Sequence, residues 1–549
     1  MVERVVLVGM SGSGKSCLAR ALAERLGFEA VDVDDEIVKL FDRPIKEIFA
    51  NYGEAIFRAA ERDALARACS MPNRVIATGG GAVTDELNWL SMRPASLVIQ
   101  LKAEPHELLR RLRTQVEADP AATRPLLEST EPLSDLERMS AARSDFYARA
   151  DVSIDTSDKA LDAVVDEAQA EVRAAIAGER PVPIGALGVP TGRSDLYVAP
   201  GLLVSTGRLV RQRFPAARRG WIISDSNVAP LRSATVAEAL SHEGFSVEQL
   251  MVPAGESSKS LSQTTELLDS LLHRRIDRRD VVVALGGGVV GDLAGFVASI
   301  VLRGVGLVQI PTSLLAMVDS SVGGKTGIDH ERGKNLIGAF YQPQLVIADP
   351  AVLETLPERE WRAGWAEIIK HAMIEMTATG SRSPQLLTMI ESADDRSLHD
   401  VSFMAALIAK NVHIKRAVVQ GDERESGLRR VLNYGHTLGH AMEASGYNYL
   451  HGEAIALGMR AAVDLSIRLG RSSVAVAERQ NAVLDRLGLP QRFEGALSTV
   501  IDRIWSDKKA VNGVLTWILP GSEVGRVDIV DDVPLEEVEA AAQAIGASA

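Results

Sequence analysis

Residues 9–16 read Gly-Met-Ser-Gly-Ser-Gly-Lys-Ser, directly after an apolar run at 5–8 and before a helical pattern. Strand, glycine loop and helix in that order leave few folds open. Glycines let consecutive backbone N–H groups turn inward around phosphates, the lysine reaches the outer phosphates, and the hydroxyl after it can hold Mg2+. Gly12, Ser13, Gly14, Lys15 and Ser16 are the expected ATP contacts, with Ser16 on the Mg2+. The motif specifies a nucleoside triphosphate and leaves the phosphoryl acceptor open.

A chain of 549 residues is too long for one hydrophobic core, so two to four domains are expected. Over residues 1–173 short apolar runs, clearest at 5–8, 75–77 and 97–101, alternate with amphipathic helical patterns, the rhythm of a parallel α/β sheet. Between 174 and 193 prolines and glycines break the pattern, as in a linker. A second α/β pattern fills 194–358, with apolar runs at 221–224, 281–285, 307–310 and 346–348. In 359–549 strands become scarce and long helical patterns, such as 363–374 and 402–418, predict an all-α half.

A net charge of −13 argues against nucleic acid as a partner, since phosphate-backbone binding needs a basic face. Cys17 and Cys69 have neither disulfide nor metal-ligand spacing, and the first residues enter a strand without a leader layout; both fit a reducing cytoplasm. Residues 281–302 are apolar for about the length of a membrane span. Gly286, Gly287, Gly288, Gly291 and Asp292 mark them instead as buried strand, turn and helix, so no membrane is expected.

In the first part, Asp32 and Asp34 follow an apolar stretch, spaced to project from a strand's end, where carboxylates can orient Mg2+ or take a hydroxyl proton. Arg58, the run Gly79-Gly80-Gly81, Arg124 and Arg143 add close approach and bidentate carboxylate or phosphate binding. The set resembles shikimate kinase over essentially the whole first part. The resemblance implies that Asp34, Arg58, Gly80 and Arg143 bind shikimate, with Asp34 also catalytic beside Lys15. It places Asp32 on the Mg2+ side and Arg124 on a lid over the ATP phosphates. Cys17 stands where that family more often has threonine.

In the second part, Val281 opens the run Val-Val-Val-Ala-Leu-Gly-Gly-Gly-Val-Val-Gly-Asp, a strand, glycine turn and helix start suited to a dinucleotide. Asp225 and Asn227 close an earlier strand, Glu256 and Lys259 the next, and Thr312 and Ser313 a later one. Glu367, the pair His436 and His440, and His451 suit a catalytic Zn2+; spacing alone makes both His436 and His440 ligands. Arg303, Asp319, Lys325, Lys334, Asn335, Lys370, Lys415, Arg429, Asn433 and Lys508 lie among glycines and small polar residues. The lysines and arginines among them, in an acidic chain, suit a substrate bearing phosphate and carboxylate.

Ser-Ser-Val-Gly-Gly-Lys-Thr-Gly from Ser320, Gly-Lys-Asn-Leu-Ile-Gly from Gly333 and Asn-Tyr-Gly-His-Thr-Leu-Gly-His-Ala from Asn433 resemble 3-dehydroquinate synthase. That resemblance covers the whole second part. It implies Glu367, His436 and His451 on Zn2+ (or Co2+), with His440 a substrate-side catalytic residue rather than a ligand. Asp225, Asn227, Glu256, Lys259, Gly287, Gly288, Asp292, Thr312, Ser313, Lys334 and Thr355 would line the NAD site. Arg303, Asp319, Lys325, Asn335, Lys370, Lys415, Arg429, Asn433, His440 and Lys508 would hold 3-deoxy-arabino-heptulosonate 7-phosphate, with Lys325, Lys370, Lys415, Arg429 and Asn433 also catalytic. A homodimer through the synthase part follows from the same resemblance. Its rival is another small-metabolite kinase fused to a metal-dependent polyol or alcohol dehydrogenase, which would not need Lys325, Lys334, Lys415 and Arg429.

Overall fold

The computed structural model describes residues 2–93, 95–118, 131–178, 180–445, 449–510, 515–531 and 533–548, save the side chains of residues 86, 90 and 505–510. It divides into two compact units: Met1–Gly188 with Asp195–Tyr197, and Val189–Ser194 with Val198–Ala549.

The first unit is built on strands β1 (Arg4–Gly9), β2 (Glu29–Asp32), β3 (Arg74–Ala77), β4 (Ser96–Lys102) and β5 (Val152–Asp155). They form one parallel sheet in the order β2-β3-β1-β4-β5. Alternate residues serve opposite faces. Val6, Val8, Ile76 and Val98 enter one buried cluster; Val5, Leu7, Val75, Leu97 and Ile99 enter the other. A strand covered on both faces needs apolar side chains at nearly every position, which is why β1, β3 and β4 read as apolar runs while the edge strands β2 and β5 do not. β1 has β3 on one side and β4 on the other, so the chain leaves the sheet in opposite directions beside it. A crevice opens there, at the carboxyl ends of the strands.

Residues 174–193 are not featureless. The helix Leu161–Ile176 runs into them, and β6 (Gly185–Val189) and the start of β7 (Gly192–Val198) follow.

In the second unit, β8 (Arg219–Asp225), β9 (Ser246–Val252), β10 (Val281–Gly286), β11 (Gly306–Pro311) and β14 (Leu345–Ala348) are parallel in the order β14-β11-β10-β8-β9. β12 (Lys325–His330) and β13 (Gly333–Phe340) form an antiparallel hairpin. The predicted runs at 221–224, 281–285, 307–310 and 346–348 all fall inside observed strands. The apolar stretch from Val281 resolves into β10 and the helix Gly288–Ile300, and no described helix is long and apolar enough to cross a membrane.

Helices dominate from Glu358 onward, including Glu358–Thr379, Val401–Gly421, His436–Glu443 and His451–Arg468. This half also carries one strand pair, β15 (Thr516–Pro520) with β16 (Val527–Asp531), short enough to escape a helical-period reading.

Candidate active sites

Three loops meet in the crevice of the first unit. After β1, Gly12 and Gly14 adopt φ of 86° and 96°, backbone conformations that side-chain-bearing residues rarely take. Buried Lys15 folds back over this loop, its Nζ donating to the Gly9 and Met10 carbonyls at 2.8 and 2.9 Å. After β2, the Asp32 carboxylate accepts from the Asp34 backbone N–H at 3.0 Å, capping the helix Val33–Phe41 and placing Asp34 in its first turn.

After β3, the three glycines are needed for close approach. A Cβ on Gly79 would stand 2.5 Å from Glu61 Oε1 and 2.9 Å from Asp34 Oδ1. One on Gly80 would meet Ser11 Oγ at 3.0 Å, and one on Gly81 the Arg58 guanidinium at 2.7 Å. Arg143 Nη1 and the Tyr147 hydroxyl both donate to the Gly80 carbonyl, at 3.0 and 2.7 Å. Asp34, Arg58, Gly80 and Arg143 thus surround one glycine turn beside the phosphate loop. Arg124 lies outside the described residues.

Glu61 and Tyr147 join this cluster without having been expected. Burial pushes the Glu61 carboxyl above its ordinary range, and Arg58 Nη1, 2.7 Å away, opposes the rise. The sequence signal was the spacing of Arg58 and Glu61, three apart on one helix face.

In the second unit the residues expected on the nucleotide side lie past the carboxyl ends of β8, β9, β10, β11 and β14. Asp225 Oδ1 accepts from the Asn227 and Val228 N–H groups at 2.8 and 2.9 Å. Cβ atoms on Gly287 and Gly288 would stand 3.4 Å from Ser313 Oγ and 3.2 Å from Ser320 Oγ. The Thr312 N–H donates to the Gly286 carbonyl at 2.9 Å, and Thr355 Oγ1 accepts from Arg232 at 3.1 Å. Buried Lys259 donates to Asp292 at 3.0 Å and to Asn335 at 2.5 Å, and it stands 3.7 Å from Glu256. Burial pushes the Asp292 carboxyl up to about 6, against the pull of Lys259.

The helix Glu358–Thr379 sends Glu367, Lys370 and His371 into a buried polar cluster. Lys370 Nζ lies 2.5 Å from Glu367 Oε2 and 3.3 Å from Asp319 Oδ1, and Lys415 Nζ lies 2.9 Å from the same Asp319 oxygen. Burial alone would raise the Asp319 carboxyl, but Lys370 and Lys415 outweigh it and hold it well below the carboxylate range. Burial pushes Lys415 down to about 8, although Asp319 works the other way.

On the far side of Glu367, His451 Nε2 and His436 Nε2 stand 3.4 and 3.7 Å from its Oε1. Ring nitrogens of His436, His440 and His451 all lie within 4.8 Å of one another. Both Glu367 oxygens are buried; Lys370 stands at Oε2, and Oε1 faces the imidazoles without a hydrogen bond. A buried carboxylate facing imidazole nitrogens fits a divalent cation of the zinc type. The outer nitrogens are already engaged, His436 Nδ1 at 3.0 Å from the Tyr434 carbonyl and His451 Nδ1 at 3.1 Å from Glu443. Burial works against charge on His451, yet Glu367 and Glu443 hold it up at about 9.

A third group completes the second site. Lys325 pairs with Glu425, which also accepts from Asn433 Nδ2 at 2.7 Å. Arg429 donates to the Gly323 carbonyl at 3.1 Å and lies close enough to Lys415 to lower its pKa. Arg303 is exposed, on a turn with φ of 68°, and stands outside this network. The Lys508 side chain lies outside the described residues. Glu425, Glu443 and His371 were missed by sequence reasoning. Glu443 follows His440 by three residues on one helix, a spacing that would have found it.

The family model for shikimate kinase matches residues 11–173. Those for the 3-dehydroquinate synthase N-terminal and C-terminal parts match 249–363 and 364–510. The 3-dehydroquinate synthase of Symbiobacterium thermophilum is 45% identical over 346 residues, which cover 62% of this chain and 94% of the relative. The chain belongs to the 3-dehydroquinate synthase family, with a shikimate kinase unit ahead of it.

Two solved structures share the fold of the synthase unit. One is the 2-epi-5-epi-valiolone synthase ValA of Streptomyces hygroscopicus subsp. jinggangensis 5008, with NAD+ and Zn2+ bound. It is 27% identical with a TM-score of 0.59, covering 65% of this chain and 98% of that one. The other is a 2-deoxy-scyllo-inosose synthase complexed with carbaglucose-6-phosphate, NAD+ and Co2+, at 25% identity and a TM-score of 0.59, covering 65% and 99%.

Proposed function

We propose that the chain is a bifunctional enzyme of aromatic biosynthesis. The kinase unit transfers the γ-phosphoryl of ATP to shikimate, giving shikimate 3-phosphate. The synthase unit converts 3-deoxy-arabino-heptulosonate 7-phosphate into 3-dehydroquinate and inorganic phosphate. The carrying observation is the buried Glu367 carboxylate, whose Oε2 is held by Lys370 while its Oε1 faces two imidazoles without a hydrogen bond. A plain alcohol dehydrogenase would not need the adjoining cations Lys325, Lys370, Lys415 and Arg429.

In the kinase unit, Gly12, Ser13, Gly14 and Lys15 cradle the ATP phosphates, and Lys15 exchanges the Gly9 and Met10 carbonyls for phosphate oxygens. Ser16 and Asp32 would hold Mg2+. Arg58, Gly80 and Arg143 fix shikimate so that its reacting hydroxyl meets Asp34, which takes the proton. The glycine turn admits the ring because no Cβ fills the space.

In the synthase unit, Glu367, His436 and His451 would hold Zn2+ or Co2+, and Asp225, Asn227, Glu256, Lys259, Gly287, Gly288, Asp292, Thr312, Ser313, Lys334 and Thr355 would hold NAD+. When bound, the metal supplies a Lewis acid and NAD+ a hydride acceptor that is regenerated, with no net redox. Lys325, Lys370, Lys415 and Arg429 neutralise the substrate's phosphate and carboxylate, and Asp319, Asn335 and Asn433 orient them and the hydroxyls. His440 moves the substrate-side proton.

The reading extends to three further points. Domain boundaries fall at 1–173, 194–358 and 359–549, the protein works in the cytoplasm, and the synthase units pair as a homodimer. The deciding experiment follows phosphate release from the heptulosonate phosphate, with NAD+ and Zn2+ present and absorbance watched for NADH. Phosphate and dehydroquinate without net NADH, lost on chelation, is the expected outcome. Stoichiometric NADH without phosphate would move the second unit to the dehydrogenases.

A further inference from the structure

The ligand reading above uses Glu367, His436 and His451 and leaves Glu443 without a task. Glu443 ends the helix His436–Glu443, seven residues after His436 and three after His440, on the same face. Its side chain is 12% exposed, and its two oxygens serve different partners. Oε2 stands 3.1 Å from His451 Nδ1, and Oε1 accepts from Lys334 Nζ at 2.7 Å. Lys334 belongs to β13, and its ammonium also lies 3.9 Å from Glu256 Oε1, in the turn after β9. Glu256 in turn stands 3.7 Å from Lys259, which holds Asp292. One carboxylate is therefore the junction between an imidazole of the metal site and a chain of charges on the nucleotide side.

The chemistry of each half is definite. An imidazole whose Nδ1–H points at a carboxylate has its tautomer fixed, its ring oriented, and its Nε2 lone pair left for a cation. A lysine shared by two carboxylates orders both, and a ligand that fixes the lysine does part of the ordering the second ligand would otherwise require.

We infer that Glu443 is a positioning residue for His451, and that Lys334 joins it to the nucleotide side so that metal and NAD+ each strengthen binding of the other. The inference rests on the ligand set proposed above. Coupling of this kind is reciprocal, so it is legible from either ligand.

The test measures Zn2+ affinity of the full chain by competition with a chromophoric chelator, with and without NAD+ at a concentration shown to saturate each variant. Saturating NAD+ is expected to tighten Zn2+ binding by the parent protein about tenfold. Glu443→Gln is expected to weaken Zn2+ binding about 10- to 100-fold and to remove the NAD+ effect. Lys334→Met, at saturating NAD+, is expected to lose the NAD+ effect on Zn2+ affinity. Parental Zn2+ affinity in Glu443→Gln would overturn the positioning role. An NAD+ effect absent from the parent, or undiminished in Lys334→Met, would overturn the link. Should Glu443→Gln not fold, Lys334→Met decides alone. His451→Ala separates the two readings. If it keeps the parental Zn2+ affinity, the ligand set is wrong; if it loses affinity while Glu443→Gln does not, only the present inference fails.

Discussion

Single side chains in both sites take their properties from burial set against charge. Lys415 shows the balance: burial pushes it down to about 8 although Asp319 is 2.9 Å away. As a proposed anchor for an anionic substrate, it is useful only when protonated. The synthase kcat/KM is therefore expected to fall as pH rises through about 8, and Lys415→Arg should move that limb beyond the measurable range. Stability runs the other way. Between about 8 and 10.5 the unfolded chain keeps a proton that the folded chain has lost, so this residue's contribution rises with pH. A pH–rate profile and urea melts on the same samples would show the two opposite trends. In the kinase unit, Asp34→Asn removes the proposed proton acceptor while keeping the shape of the pocket. Its shikimate kinase kcat should drop about 10²- to 10⁴-fold with synthase turnover unchanged. A loss confined to KM would remove Asp34 from that role.

Elements matter here through how closely their backbones approach. The helix His451–Arg468 crosses the start of His436–Glu443 at glycine. A Cβ on Gly458 would lie 1.9 Å from the Gly435 carbonyl oxygen and 2.7 Å from the Gly439 nitrogen. Gly435 itself has φ of 76° and leads directly into His436. This contact sets the separation of the His436 and His451 rings, whose centroids are 5.5 Å apart. Gly458→Ala must push the helices apart, at about 1–3 kcal/mol or more. It should lower the thermal midpoint and weaken Zn2+ binding, although it touches no proposed ligand. Unchanged Zn2+ affinity in a destabilised Gly458→Ala would show that the ring separation is set elsewhere. The same elements show what local pattern conveys. The strands β1, β3, β4, β8, β10, β11 and β14 were legible as apolar runs because both their faces are covered, whereas the edge strands β2, β5 and β9 were not. The hairpins β12–β13 and β15–β16 were not, because one is rich in glycine and polar residues and the other is short within a helical context.

For the whole molecule, two chemistries on one chain respond to different treatments. A zinc-selective chelator is expected to abolish heptulosonate phosphate turnover and leave shikimate phosphorylation, assayed with excess Mg2+, at its starting rate. Loss of both activities would refute the assignment of the metal to the synthase unit alone. The sequence by itself determined a phosphate-binding loop between strand and helix, a second glycine turn of dinucleotide type, and a pool of His, Glu, Lys and Arg suited to metal and anion. Those features are local: a backbone conformation or a helix face needs only neighbours in the chain to declare itself. Spacing alone also paired His436 with His440, and it could not weigh His451 or Glu367, which come from other helices. Tertiary structure decided that Glu367 is buried between Lys370 and two imidazoles, that Asp319 holds two lysines, and that Glu443 and Glu425 join the sites. Burial and charge pairing arise between segments far apart in sequence, so their strength is fixed only once the helices have packed.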